Sequence, residues 1–294
     1  MIAIDEQNKR RVGLEAMTAD QKRKGEPWRQ RLRDLLIRPE PPVPDTILGR
    51  GAARFATLRP GGTVCIKISS AYDLPYPFAA SPAFVARAVA EIHAANPELR
   101  ILLTEGGVGK QCITEIARRQ GLTAIPHATF IDAEAAESMF VPNPSVAPQR
   151  ADGFYLPAHW VEAEARVLLT TCKLRSHHFQ RLFSGGTRNL IGLLPRRQYR
   201  LPTSRRDMRS VIHQQGMDAM VADLYATTGR DVLTILDCRL LARQDEHIPL
   251  RFVRRTGAVL IAEDPGDADR AMVGRLRLPF APPYLTLMAQ SEQN

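Results

Sequence analysis

The sequence predicts an α/β fold: a mainly parallel sheet flanked by helices, with a basic helical N-terminal arm. Three observations predict it. Short apolar runs alternate with segments of helical period. The runs are continuously apolar rather than alternating, as strands covered on both faces require. Glycine turns separate strand from helix in the order of parallel βαβ units.

The elements follow in order. Val64-Cys65-Ile66-Lys67-Ile68 reads as the first strand, entered through Pro60-Gly61-Gly62. The spacing of Phe84, Val85, Ala88, Val89 and Ile92 predicts a helix over residues 82–95, with Ser81 as N-cap and Pro82 at the first helical position. Residues 101–103 form the next strand, ended by Glu105-Gly106-Gly107, and residues 113–119 a helix stopped at Gly121. Residues 142–157, rich in proline, read as a surface loop. Strands are expected at 167–172, 232–236 and 258–262. The charged segment 196–209 reads as an excursion with the character of a lid.

Residues 1–46 read as an appendage to a main domain of residues 47–294. Trp28, Leu32, Leu35 and Leu36 recur at helical spacing in an arginine-rich stretch, and Pro39, Pro41, Pro42 and Pro44 then form a stiff linker. Such a helix offers a surface to the main body or to a second copy, so a homodimer through the arm is an option.

Composition narrows the class. With 294 residues and 44% hydrophobic content the chain can bury a sizeable core. No apolar run reaches the roughly 18 residues of a spanning helix. The charged residues 5–11 lack a signal peptide's apolar block, so a cytoplasmic location without a membrane span is expected. The four cysteines form no CxxC pair, which excludes a zinc ribbon and a covalent iron–sulfur motif. Cys65, Cys172 and Cys238 lie in or beside apolar runs and read as buried hydrophobes. A net charge of +9 favours acidic partners. Aromatic content of 6%, with no basic–aromatic alternation, argues against nucleic acid.

In open α/β sheets ligands bind beyond the carboxyl ends of the strands. Here those ends carry Lys67, then Glu105, then Lys173, Arg175, His177 and His178, then Asp237, then Glu263 and Asp264. Acids, bases and imidazoles at successive strand ends predict one shared site. Gly106-Gly107-Val108-Gly109 matches neither the P-loop nor the dinucleotide spacing and reads as a tight turn. His177 has the chemistry of a general acid/base near neutral pH. Asp264, Asp267 and Asp269 fit either helix capping or a divalent-metal site, with Asp264 and Asp269 as the candidate ligands. The sequence leaves that choice open.

The order of these motifs resembles the prokaryotic Domain of Unknown Function 362 family. Its Val-x-Ile-Lys strand corresponds to Val64-Cys65-Ile66-Lys67, and its Glu-Gly turn to Glu105-Gly106. Its central Lys-x-Lys-Thr-His and Lys-Asn-x-x-Gly motifs correspond to Lys173-Leu174-Arg175-Ser176-His177 and Arg188-Asn189-Leu190-Ile191-Gly192. A strand ending in Asp237-Cys238 and the segment Asp264-Pro265 with Asp269 complete the series. Arginine stands for lysine at 175 and 188, and Cys238 stands for glycine. The ferredoxin-like clusters appended to some relatives are absent. The resemblance implies a divergent member with its own substrate.

These readings converge on an enzyme of small-molecule metabolism, including specialised biosynthesis, acting on an anionic substrate. Lys67, Lys173, Arg175 and Arg188 would hold the anion and Asn189 would orient it. His177, Glu105 and Asp237 would move protons in isomerisation, cyclisation, elimination or hydrolysis rather than hydride transfer. Two other classes fit the sequence: a redox accessory protein docking an iron–sulfur partner, and a non-catalytic anion- or nucleic-acid-binding protein using the basic arm.

Overall fold

The computed structural model describes residues 40–108, 112–175, 182–202, 209–244, 252–278 and 281–293, and residues 40–294 belong to one compact unit. Its main sheet contains β1 (Thr63–Ile68), β2 (Arg100–Glu105), β3 (Ala128–Asp132), β6 (Ala165–Arg175), β7 (Leu182–Ser184), β8 (Val232–Gln244) and β9 (Phe252–Ala262). The order is β3-β2-β1-β6-β8-β9, with β7 paired to β6. The first five strands of that path run parallel; β9 and β7 are antiparallel to their neighbours. This is the mainly parallel, helix-flanked sheet that the apolar runs predict. Residues 1–39 of the N-terminal arm lie outside the described residues, and residues 40–46 of its proline-rich linker belong to the described unit.

The helix α1 (Pro82–Ala95) begins where its signals place it: Ser81 Oγ accepts the Phe84 N–H at 3.1 Å. Its buried stripe of Phe84, Val85, Ala88, Val89 and Ile92 packs on Ile66, Ile68, Leu103, Val167 and Ile235. Each large apolar side chain in that layer contributes roughly 1.5–3 kcal/mol by leaving water. The opposite face of the sheet, through Cys65, Leu102 and Leu168, is covered by Leu190, Leu193, Val221, Leu224 and Tyr284. Burial on both faces is why the strands read as unbroken apolar runs.

Three segments differ from the sequence reading. The proline-rich stretch 142–157 is a loop only between its ends, because Ser138–Pro142 (β4) and Gly153–Pro157 (β5) pair as a separate antiparallel hairpin. Met139 and Val141 face Leu156 and Phe154 across it, while Pro142 and Pro157 close the strands where no ladder donor is needed. β6 and β8 also run past their apolar cores, so Lys173, Arg175 and Asp237 lie inside strands rather than after them. The excursion 196–209, where described, is tied down: Tyr199 is buried and its hydroxyl accepts the Tyr155 N–H. Among the described residues no helix is long and apolar enough to cross a membrane.

Candidate functional site

The register of the sheet brings the ends of β1 and β2 side by side, Lys67 opposite Thr104. The Lys67 side chain is wholly buried. Its ammonium donates to Glu105 Oε1 at 2.7 Å, to the Ile68 carbonyl at 2.7 Å and to Asn189 Oδ1 at 3.0 Å. Glu105, equally buried, also accepts the Ser70 N–H at 2.7 Å and the Gly106 N–H at 2.8 Å. Burial lowers the Lys67 pKa, and the Glu105 charge and hydrogen bond oppose that shift. A buried pair of this kind persists only when further hydrogen bonds satisfy both ions, as they do here.

The Arg188-Asn189-x-x-Gly192 motif completes this assembly. A Cβ at Gly192 would lie 2.5 Å from Glu105 Oε1 and 2.7 Å from Lys67 Nζ, so only glycine lets this backbone close over the ion pair. A Cβ at Gly106 would meet the Gly192 carbonyl oxygen at 2.1 Å. Two glycines distant in sequence are therefore packed against one another at the site.

The short helix α2 (Gly186–Asn189) delivers Asn189, and Asp269 holds its start. The buried Asp269 carboxylate accepts the Gly186 N–H at 2.7 Å, the Thr187 N–H at 3.0 Å and the Tyr284 hydroxyl at 2.9 Å. Burial pushes Asp269 up to about 6 despite these donors. Arg188 turns the other way: Nη2 bonds Asp218 at 2.7 Å, and the guanidinium lies 5.5 Å from the Tyr284 ring centroid.

Asp237 anchors a second buried network. It accepts the Tyr76 hydroxyl at 2.9 Å and binds Arg239 through Nε at 2.9 Å and Nη2 at 2.7 Å. The Arg239 guanidinium lies 5.1 Å from the Tyr76 ring centroid and 4.8 Å from that of Phe84, and reaches the Pro41 carbonyl at 2.8 Å and Glu40 at 2.9 Å. The 69–81 connection links the two networks, since Ser70 touches Glu105 while Tyr76 touches Asp237.

Several buried donors have no hydrogen-bond partner among the described residues: Ser70 Oγ, Thr171 Oγ1, Asn189 Nδ2, and Arg188 Nε and Nη1. Lys173 Nζ lies 3.4 Å from Ser69 Oγ, next to Ser70. Buried polar groups are normally satisfied, so orphaned donors around a family motif call for an acceptor.

Of the sequence candidates, Lys67, Glu105 and Asn189 meet directly. Arg188 lies on the Tyr284 side, Asp237 in the Arg239 network, and Arg175 at the end of β6. Asp264 caps the helix α3 (Pro265–Leu276) by accepting the Asp267 N–H at 2.9 Å, and Asp269, one helical turn on, holds α2. Among the described residues no three His, Cys, Asp or Glu side chains converge as a metal site. His177, His178 and Gly109-Lys110 lie outside the described residues. Cys65, Cys172 and Cys238 are buried free thiols, and burial raises the pKa of Cys65 and Cys172.

Arg209 is a residue that sequence reasoning did not assign to the site. It is buried and donates to the carbonyls of Leu194, Gly107 and Gly192 and to Glu134. It thereby ties the turn after β2 to the end of the Asn189–Gly192 motif. Tyr76, Ser70 and Tyr284 were also missed. Their one legible signal was proximity of Ser70 to the first strand end.

The fold and these assemblies define an α/β protein with buried charged and polar clusters at the carboxyl edge of a parallel sheet, an arrangement suited to binding an anion. The family model described as Domain of unknown function (DUF362) matches residues 64–274, and the chain belongs to that family. No curated protein and no solved structure matches the chain.

Proposed function

We propose that this protein is an enzyme of small-molecule metabolism whose anionic substrate binds at the ends of β1 and β6. The observation that carries the reading is the pair of buried, unpartnered donors, Ser70 Oγ and Asn189 Nδ2, flanking the Lys67–Glu105 ion pair. Asn189 spends its oxygen on Lys67, which leaves its N–H groups to face an acceptor. Lys173 adds positive charge beside Ser69. Fixed donors that need no reorganisation stabilise a developing oxyanion, the demand that proton-transfer chemistry on an anionic substrate makes. In this account Lys67 and Glu105 set the shape of the site. Ser70, Lys173 and Asn189 hold the anion, with Arg175 adding cationic charge, and His177 moves the proton; Arg188, ion-paired to Asp218, supports the helix that carries Asn189.

A thermal-shift screen tests the reading with inorganic phosphate, pyrophosphate, citrate and malonate as probes. At least one should raise the melting temperature of the wild-type chain and not that of Asn189→Ala or Lys173→Gln. Equal shifts in all three proteins would overturn it.

A further inference from the structure

A second feature, a cavity of about 270 Å³, includes the first residues of β1 and β2, Thr63 and Arg100, in its lining. Glu137, His159 and Glu162 also line it, with alanines between them. His159 is held in one orientation: Nε2 lies 2.9 Å from Thr104 Oγ1. The Thr104 hydroxyl has a single proton and gives it to the Ile131 carbonyl at 3.1 Å. With that proton on Ile131, the hydroxyl accepts from Nε2–H, and Nδ1 is then the imidazole's acceptor. Burial keeps this imidazole neutral by lowering its pKa to about 4.

The rim is charged in a particular pattern. Arg100 uses Nε on Thr63 Oγ1 at 3.2 Å. Among the described residues Arg100 has no carboxylate partner, and Glu137 and Glu162 have no cationic one. A guanidinium fork suits a carboxylate, while two carboxylates and a neutral imidazole acceptor suit an ammonium group.

We infer that this cavity is a binding site for a small zwitterion of the α-amino-acid class, its carboxylate on Arg100 and its ammonium facing Glu137, Glu162 and His159. The site shares no lining residue with the proposed anion site.

The test uses the full chain and three probes: L-alanine, propionate and propylamine, the last two each lacking one charge. Binding is followed through the His159 ring resonances by ¹H–¹³C NMR. Saturable shifts with L-alanine are expected, with at least about tenfold weaker binding of either single-charge probe, because each loses a charge-assisted hydrogen bond. Arg100→Gln and Glu137→Gln, both on the solvent-facing rim, should weaken L-alanine by a similar factor while leaving the circular dichroism spectrum unchanged. No saturable shift with L-alanine, equal binding of the three probes, or unchanged affinity in both variants would overturn the inference.

Discussion

Lys67 Nζ sits 2.7 Å from Glu105 Oε1 and 3.0 Å from Asn189 Oδ1, so three separate family motifs meet at one buried ammonium group. That contact explains why a lysine closes the first strand, a glutamate the second, and an asparagine stands in the later motif. Glu105 and Asn189 each take one hydrogen bond from the Lys67 ammonium, and the Ile68 carbonyl takes another.

Removing one ion of this pair should be costly. Glu105→Gln and Lys67→Met should each destabilise the protein by about 3–5 kcal/mol, the usual cost of leaving a buried charge without its partner. The double variant should lose less than the sum of the singles. Urea denaturation of the four proteins checks this, and additive losses would refute the coupling.

Gly192→Ala tests the close approach of backbone to ion pair. The added methyl meets Glu105 and Lys67 atoms well inside van der Waals contact. A loss of about 1–3 kcal/mol is expected, as for other overpacked sites. Gly274→Ala, whose Cβ would meet nothing within 4 Å, is the control and should be close to neutral or stabilising. Thermal melts of the two variants decide the matter.

Asp269 makes stability pH-dependent with a defined sign. Burial raises its pKa from 3.8 to about 6. Its contribution to stability is therefore fully present below about pH 4 and is lost as pH rises through about 6. Asp269→Asn cannot ionise, so the stability difference between wild type and variant should shift by about 3 kcal/mol against the wild type between pH 4 and pH 7. A pH-independent difference would contradict the burial argument.

His159 has the opposite slope. Its pKa is lowered from 6.5 to about 4 by burial, so its contribution is present above about pH 6.5 and is lost as pH falls toward 4. His159→Gln should lessen the acid sensitivity of the wild type. Melting temperatures from pH 4 to pH 8 report both residues, which can be separated by their directions.

Much of the fold was legible. The capped helix 82–95, the short helix 113–119 and the main strands other than β3 and the three-residue β7 left apolar periods or clear stop signals. The ends of β6 and β8 were not legible, because beyond Cys172 and Leu236 charged residues (Lys173, Arg175, Asp237, Arg239) interrupt the apolar run while the strands continue by pairing with β7 and β9. The hairpin β4–β5 was hidden by prolines that sit at strand ends.

The site was legible at Lys67, Glu105 and Asn189, which lie on motifs. The roles of Asp237 and Asp269 were not. A sequence does not reveal that one carboxylate is taken up by Arg239 two residues on, or that the other caps a helix more than eighty residues earlier. Ser70, Arg209 and Tyr284 contribute through contacts that exist only once the sheet is assembled.

The central claim is that an anion rests on the free amide hydrogens of Asn189. The direct measurement is a ¹⁵N NMR titration of the Asn189 side-chain amide with the anion that gives the largest thermal shift. The account predicts saturable movement of that resonance and about ten- to hundredfold weaker anion binding in Asn189→Ala, the range for a hydrogen bond to a charged group. An unmoved Asn189 amide at saturation, with unchanged affinity in the variant, would contradict it.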